Sequence, residues 1–368
     1  MRSYAKREVT KAEACIQQLC CSGLDSESVI PAVLNTLHDY VPSYANAYIW
    51  CNRNAEIVNL YDERPVATDL LPLYFNEFYD RTERDVFTSW RQHIRLSNEA
   101  ADFDTLLTVP RRHFLRHEFY GDFLRQLDFY WGAHLVVREA GQPAGVLVLH
   151  RTKKDKPFSA AEIRLLNRLG GFLAHAVRCS DRQRHPWVGT EDQGIIITSD
   201  SGRIEWLSKR ARQLLFLQRY PQANAETLSR IEAASLPDQV RRLCGRLAQH
   251  SSGGLLEQPP VWYDSNRWGQ FCFRLGRLDP SIDGDGKISI TLELQQPLPV
   301  RLISKVSKLP LTAREMQIGV LMALGTSNVN IADKLNMSEH TAISHSRAVY
   351  QKLGVQNRNE VLSRLLSS

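Results

Sequence analysis

The stretch from Leu311 to Leu366 constrains this chain more than any other, because helix-capping residues recur four times within some fifty positions. Thr312 followed by Glu315 has capping-box spacing, so a helix is expected to run from there through Ile318, Leu321 and Met322, with Gly325 as its stop. Ser327 opens a shorter helix whose buried side is Ile331, Ala332 and Leu335. Asn336 and Met337 make a tight turn, and Ser338 with Glu339 supplies a cap and a first-turn acid for a third helix ending at Leu353 and Gly354. Asn357 and Glu360 repeat the capping box for a fourth, which carries Val361, Leu362 and Leu365.

Four short helices with a brief break between the second and third make the pattern of a helix-turn-helix reader. In the third helix Ala342, His345, Val349 and Leu353 fall on one stripe and are expected to face inward. Ile343, Ser344, Arg347 and Gln351 are left outside.

The residue blocks carry a resemblance. L-T-A-R-E at 311–315, G-T-S-N-V-N-I-A at 325–332, S-E-H-T-A-I-S-H at 338–345 and Y-Q-K-L-G-V-Q-N-R at 350–358 resemble the LuxR-type helix-turn-helix module of bacterial transcription regulators, over about a seventh of the chain. The resemblance implies a third helix in the major groove, with Ile343, Ser344 and Arg347 over base edges and Lys352 and Arg358 near phosphates. Thr341, Asn328 and Gln351 complete the DNA contacts expected. The family's pattern has a lysine and a glutamate where this chain has Val329 and Asn330, and a lysine where it has Ile343. Fewer cations lower salt-dependent affinity, whereas Ile343 can meet a thymine methyl. The competing expectation is a sensor without DNA binding that sequesters another regulator through its fourth helix.

Charge favours the nucleic-acid partner. From Arg301 onward nine basic residues face four acidic ones, which places five of the chain's six net positive charges at this end.

At 368 residues the chain is too long for one ordinary core, so several domains are expected. Residues 1–180 begin with helical patterns at Lys6–Cys21 and Ser26–Tyr40, then two strands, Asn46–Cys51 and Glu56–Tyr61. A mainly helical, aromatic-rich stretch, Asp69–Phe129, precedes strands at Tyr130–Arg138 and Ala144–His150. Ser159 and Glu162 then cap a helix with a stripe of Ile163, Leu166, Leu169, Leu173 and Val177. This order resembles a GAF-type sensor domain, which implies a cup over an antiparallel sheet holding a small-molecule effector. The aromatics expected near such a ligand are Tyr48, Trp50, Tyr61, Trp90, Phe103, Tyr120 and Trp131.

A polar junction at 180–187 leads to residues 188–296, whose strands Gly194–Ser199 and Arg203–Leu207 and following helix resemble the opening of a PAS-type domain. Helix Pro237–Gln249 and strands at Val261–Tyr263, Trp268–Leu275 and Lys287–Leu294 follow. Pro297, Pro299 and Pro310 punctuate 297–310, which reads as an extended linker before the reader at 311–368. The fold class expected is multidomain α+β: a GAF-like α/β sensor, a PAS-like α+β domain and an all-α four-helix module.

Catalytic and metal constellations are not expected. The seven cysteines form no CxxC pair, and no P-loop, dinucleotide glycine fingerprint or G-x-S-x-G elbow occurs. His113 and His117 are four apart, but Arg111, Arg112 and Arg116 crowd them with positive charge. Asp283-Gly284-Asp285-Gly286 has part of a calcium loop, yet its first and twelfth positions would be Ser281 and Leu292, so a hairpin turn is expected. No apolar run reaches membrane-spanning length and the first ten residues are polar, so a cytoplasmic, homodimeric regulator without cofactor is the expectation.

Overall fold

The computed structural model describes residues 2–178, 185–249, 260–278 and 286–367. Helices α1 (Arg2–Cys20) and α2 (Ser26–Tyr40) form a hairpin ahead of strands β1 (Ala45–Cys51) and β2 (Ile57–Asp62). The stretch expected to be mainly helical is broken into α3 (Pro65–Leu73), α4 (Trp90–Leu96), the two-residue β3 (Ala101–Asp102), α5 (Arg111–Phe114) and intervening single turns. Because α5 ends at Phe114, His113 and His117 do not share a helical face. Strands β4 (Trp131–Glu139) and β5 (Gln142–Arg151) follow, then α6 (Ala160–Arg178), capped by Ser159 and Glu162 as expected.

These strands form an antiparallel sheet in the order β2–β1–β5–β4–β3. Tyr48 lies opposite Leu147, and Leu147 opposite Leu135, so these three share one face with Trp50. That face packs with apolar residues of α1, α2 and α6. The other face presents Ala47, Val136, Val146 and Val148 to Ile94 of α4. A sheet covered on both sides explains why β4 and β5 read as nearly continuous apolar runs.

The second sheet has the order β8–β7–β11–β10–β9, built from β7 (Gln193–Thr198), β8 (Ile204–Leu207), β9 (Val261–Asn266), β10 (Gly269–Leu278) and β11 (Lys287–Pro297), with β6 (Trp187–Val188) pairing to β11. Phe271, Phe273, Ile290 and Leu292 share a core with Ala211 and Leu214 of α7 (Lys209–Arg219) and Val240 and Cys244 of α9 (Asp238–Gln249). A short α8 (Ala225–Ser229), unmarked in the sequence pattern, lies between those helices. The polar junction at 180–187 and the calcium-like run at 283–286 lie outside the described residues except at 185–187 and Gly286.

The turn joining β9 to β10 enters the first unit. Trp268, 1% exposed, puts its ring 5.6 Å from both Trp50 and Tyr61. Its indole N–H donates to the Tyr220 carbonyl at 3.3 Å, and Ser28 donates to the Arg267 carbonyl at 2.7 Å. Gly269, at φ +146, faces the Gln295 carbonyl where a side chain would collide.

The stretch expected to be an extended linker is instead helix α10 (Leu298–Val306). Prolines at its mouth are compatible with helix, because first-turn N–H groups have no intrahelical acceptor, and Pro310 lies beyond its end. Val300, Leu302, Ile303 and Val306 are buried. α10 packs on α1 and α2, and leads to α11 (Ala313–Ala323), α12 (Asn328–Lys334), α13 (Glu339–Leu353) and α14 (Arg358–Leu366).

Trp268→Ala is expected to cost about 3–5 kcal/mol in chemical denaturation, the range for truncating a buried large aromatic. A loss below about 1 kcal/mol would show that the turn is not anchored through this ring.

Candidate nucleic-acid interface and effector cavity

The four capping residues of the last helices each cap their helix, but the capping box expected at Asn357 and Glu360 is half made, because the Glu360 carboxylate accepts from the Gln356 N–H instead of the Asn357 N–H. Thr312 and Glu315 complete a reciprocal capping box, and the side chains of Ser327, Ser338 and Asn357 accept from the third backbone N–H of α12, α13 and α14. Gly325 and Gly354 close α11 and α13 with φ of +80 and +66. The buried stripe of α13 is Ala342, Ser346, Val349 and Leu353. Ser346 thus replaces the expected His345: a helix advances 3.6 residues per turn, and the four-residue step from Ala342 stays nearer the inner line. The opposite side exposes Ser344, Arg347 and Gln351, with Thr341 and Ile343 half-buried beside them. Arg347 has no ion pair or hydrogen bond among the described residues.

A cavity of about 110 Å³ lies on the α4 side of the first sheet, walled by Phe87, Phe103, Phe119, Val146 and Val148. Trp90, His93 and His134 also line it, together with Tyr74 and Glu83. His134 is 2% exposed and His93 8%, and their rings meet edge to face at 4.3 Å. Burial pulls the His93 imidazole down to about 4 and the His134 imidazole to about 3, so both are neutral near pH 7. Burial pushes the Glu83 carboxyl up to about 7, although it accepts from the Asp80 N–H and the Tyr74 hydroxyl.

Of the seven aromatics expected near a ligand, Trp90 and Phe103 line this cavity. Tyr48, Trp50 and Tyr61 belong to the core formed with the helices and Trp268. Strand alternation decides this: the small Ala47 and the half-buried Ile49, not their large neighbours, point to the α4 side. Tyr120 packs on Phe114, and Trp131 lies under the Arg111 guanidinium while its N–H donates to the Asp155 carbonyl. His93, His134 and Glu83 were missed; a histidine inside the apolar run of β4 was the available signal.

Residues 309–365 match the family model described as bacterial regulatory proteins, luxR family. The carboxy-terminal module is a LuxR-family domain. Three solved structures resemble parts of the chain. The GAF domain/HD domain protein from Geobacter sulfurreducens is 18% identical, covers 42% of this chain and 90% of its own, and gives a TM-score of 0.28. The E. coli DhaR(N)-DhaL complex is 12% identical, with coverage of 79% and 88% and a TM-score of 0.26. The sensor region of a sensor histidine kinase is 12% identical, with coverage of 68% and 84% and a TM-score of 0.18. No curated protein matches the chain.

Inside the LuxR-family domain, three residues expected on DNA are engaged by the domain itself. Lys352 is paired with Glu315 at 2.6 Å, and Arg358 donates to the Thr326 carbonyl and to the Asn328 side-chain oxygen. Asn328 also accepts from Ser346 at 3.3 Å. These bonds tie α11 to α13 and α12 to both later helices. Burial alone would raise the Glu315 carboxyl; its bonds from Lys352 and Thr312 outweigh that and hold it below the usual glutamate range.

A depressed folded-state pKa gives stability that is present above the unfolded value, about 4.3 for glutamate, and lost as pH falls through the lower folded value. Glu315→Ala is therefore expected to cost about 1–3 kcal/mol at pH 7, from cap and charged hydrogen bond together. The deficit should shrink on acidification below about pH 4.3; a deficit that persists at low pH contradicts the role given to the charge.

Proposed function

We propose that the chain is a sequence-specific transcription regulator in which residues 1–180 act as a GAF-like sensor, 188–296 as a PAS-like domain and 311–368 as the DNA reader. The observation that carries this reading is the outer side of α13 within a LuxR-family domain: Ser344, Arg347 and Gln351 are exposed, and Arg347 is uncommitted. A guanidinium on such an edge has the fork geometry that matches guanine O6 and N7. Ile343 beside it offers a thymine methyl an apolar contact. Lys352, Arg358 and Asn328 act chiefly by holding the reader's shape, with Thr341 at the start of the reading edge.

The protein functions in the cytoplasm as a homodimer, because one short helix reads too few base pairs to specify a site and two-fold DNA sites match two-fold proteins. A small molecule in the first sheet's cavity is the effector, and it acts by favouring one of two arrangements of sensor and reader. Among the described residues no helix is long and apolar enough to cross a membrane. The proposed role is not enzymatic.

Fluorescence-anisotropy titration on duplexes selected from a random pool tests the reading. Arg347→Ala is expected to lose about 1–3 kcal/mol on the selected duplex and to relax preference at one base position. An equal loss on every sequence would contradict base reading. Affinity should also fall with salt on a log–log line, whereas a sequestering protein without DNA binding would show no steep slope.

A further inference from the structure

We propose that the cavity under the first sheet takes a small, uncharged, single-ring aromatic molecule bearing a hydroxyl group, of which phenol is the simplest member. This rests on the reading of residues 1–180 as an effector sensor and names the chemical class of that effector. Size sets the first limit. At about 110 Å³ the space is smaller than the roughly 150 Å³ buried apolar cavity that holds benzene, so a single ring is the most it encloses. The walls set the second. Phe103 meets Phe87 edge to face at 5.8 Å and lies so close to Gly132 on β4 that a Cβ there would overlap its ring. Ring faces and edges around a flat space favour an aromatic guest.

Polar chemistry supplies the hydroxyl. The His93 Nε2, both His134 ring nitrogens and the Trp90 Nε1 are buried and have no hydrogen-bond partner among the described residues. A neutral imidazole offers one donor and one acceptor, and an indole one donor. A phenolic hydroxyl both accepts and donates, so it can satisfy an indole or imidazole N–H and a bare imidazole nitrogen at once. A plain hydrocarbon satisfies neither, and leaving such groups unmet carries their desolvation penalty. An aromatic carboxylate is excluded on charge: among the described residues no lysine or arginine lines the cavity, and the imidazoles are neutral, so nothing there balances an anion.

Calorimetric titration of the full chain with phenol, benzene and benzoate tests this directly. Phenol is expected to saturate one site per chain, benzene to bind at least about tenfold more weakly, and benzoate not to bind. His134→Phe and Trp90→Phe should each reduce the phenol-to-benzene ratio by about threefold or more; Trp90→Phe keeps an aromatic ring, so one variant tests the hydrogen bond without opening a hole. Equal affinities for phenol and benzene, tighter binding of benzoate, no saturable binding of any of the three, or an unchanged ratio in both folded variants would overturn the proposal. Native mass spectrometry and the duplex titration separate this from the wider reading. A bound molecule of another class would sink the ligand assignment and leave effector sensing standing. Phenol binding with no duplex binding would keep the ligand class and remove the reader.

Discussion

The seam between α10 and the α1–α2 hairpin is the contact on which the rest of the molecule depends. Val300, Leu302, Ile303 and Val306 are buried there, and burial of this kind is favourable but non-directional. Direction comes from two polar clasps from α1: the Cys15 thiol approaches the Ile303 carbonyl at 3.5 Å, and the Lys11 ammonium donates to the Leu309 carbonyl at 3.0 Å. Leu309 and Leu311 continue the buried line into the reader. The helices that would touch DNA are therefore fastened to the same hairpin that backs the first sheet.

That arrangement gives the proposed regulation a physical route. The first sheet is a single layer, with Leu135 and Leu147 of β4 and β5 on the helix side and His134, Val146 and Val148 on the cavity side. A guest that shifts these strands acts on α6 and α1 through one thickness of backbone. Close-packed interiors transmit such shifts because they have little free volume to absorb them. The second unit is attached by a different device: Trp268 enters between Trp50 and Tyr61, and the Ser28–Arg267 bond fixes the turn that carries it.

Much of the fold was legible in the chain because its helix ends obey local rules. Thr312 with Glu315, Ser159 with Glu162, Ser327, Ser338 and Asn357 each satisfy backbone N–H groups within three residues, so neighbours alone decide them. The strands were legible from apolar, aromatic runs bounded by turns. What lay hidden depends on residues distant in sequence. Alternation puts Tyr48 and Trp50 on one side of β1, but only the partner elements decide which side faces a cavity. Proline made 297–310 look extended, yet its apolar residues find α1 and α2 nearly three hundred positions away. Lys352 and Arg358 looked free for phosphate because Glu315 and the Thr326 carbonyl, their acceptors, stand 37 and 32 positions upstream.

The same internal ties bear on the departures from the LuxR pattern. Val329 is 50% exposed where the family carries a lysine, and Ile343 is half-buried on the reading edge. Under the proposed reading, with Lys352 and Arg358 occupied, fewer phosphate contacts would remain and discrimination would rest on Arg347, Ser344 and Ile343. Hydrogen exchange on the full chain, read by mass spectrometry, tests the central claim that reader and sensor are joined through a packed seam. Peptides spanning 298–306 are predicted to exchange as slowly as those spanning 26–40. Free exchange across 298–306 while 26–40 stays protected would show a tether in place of the seam, and would contradict the account.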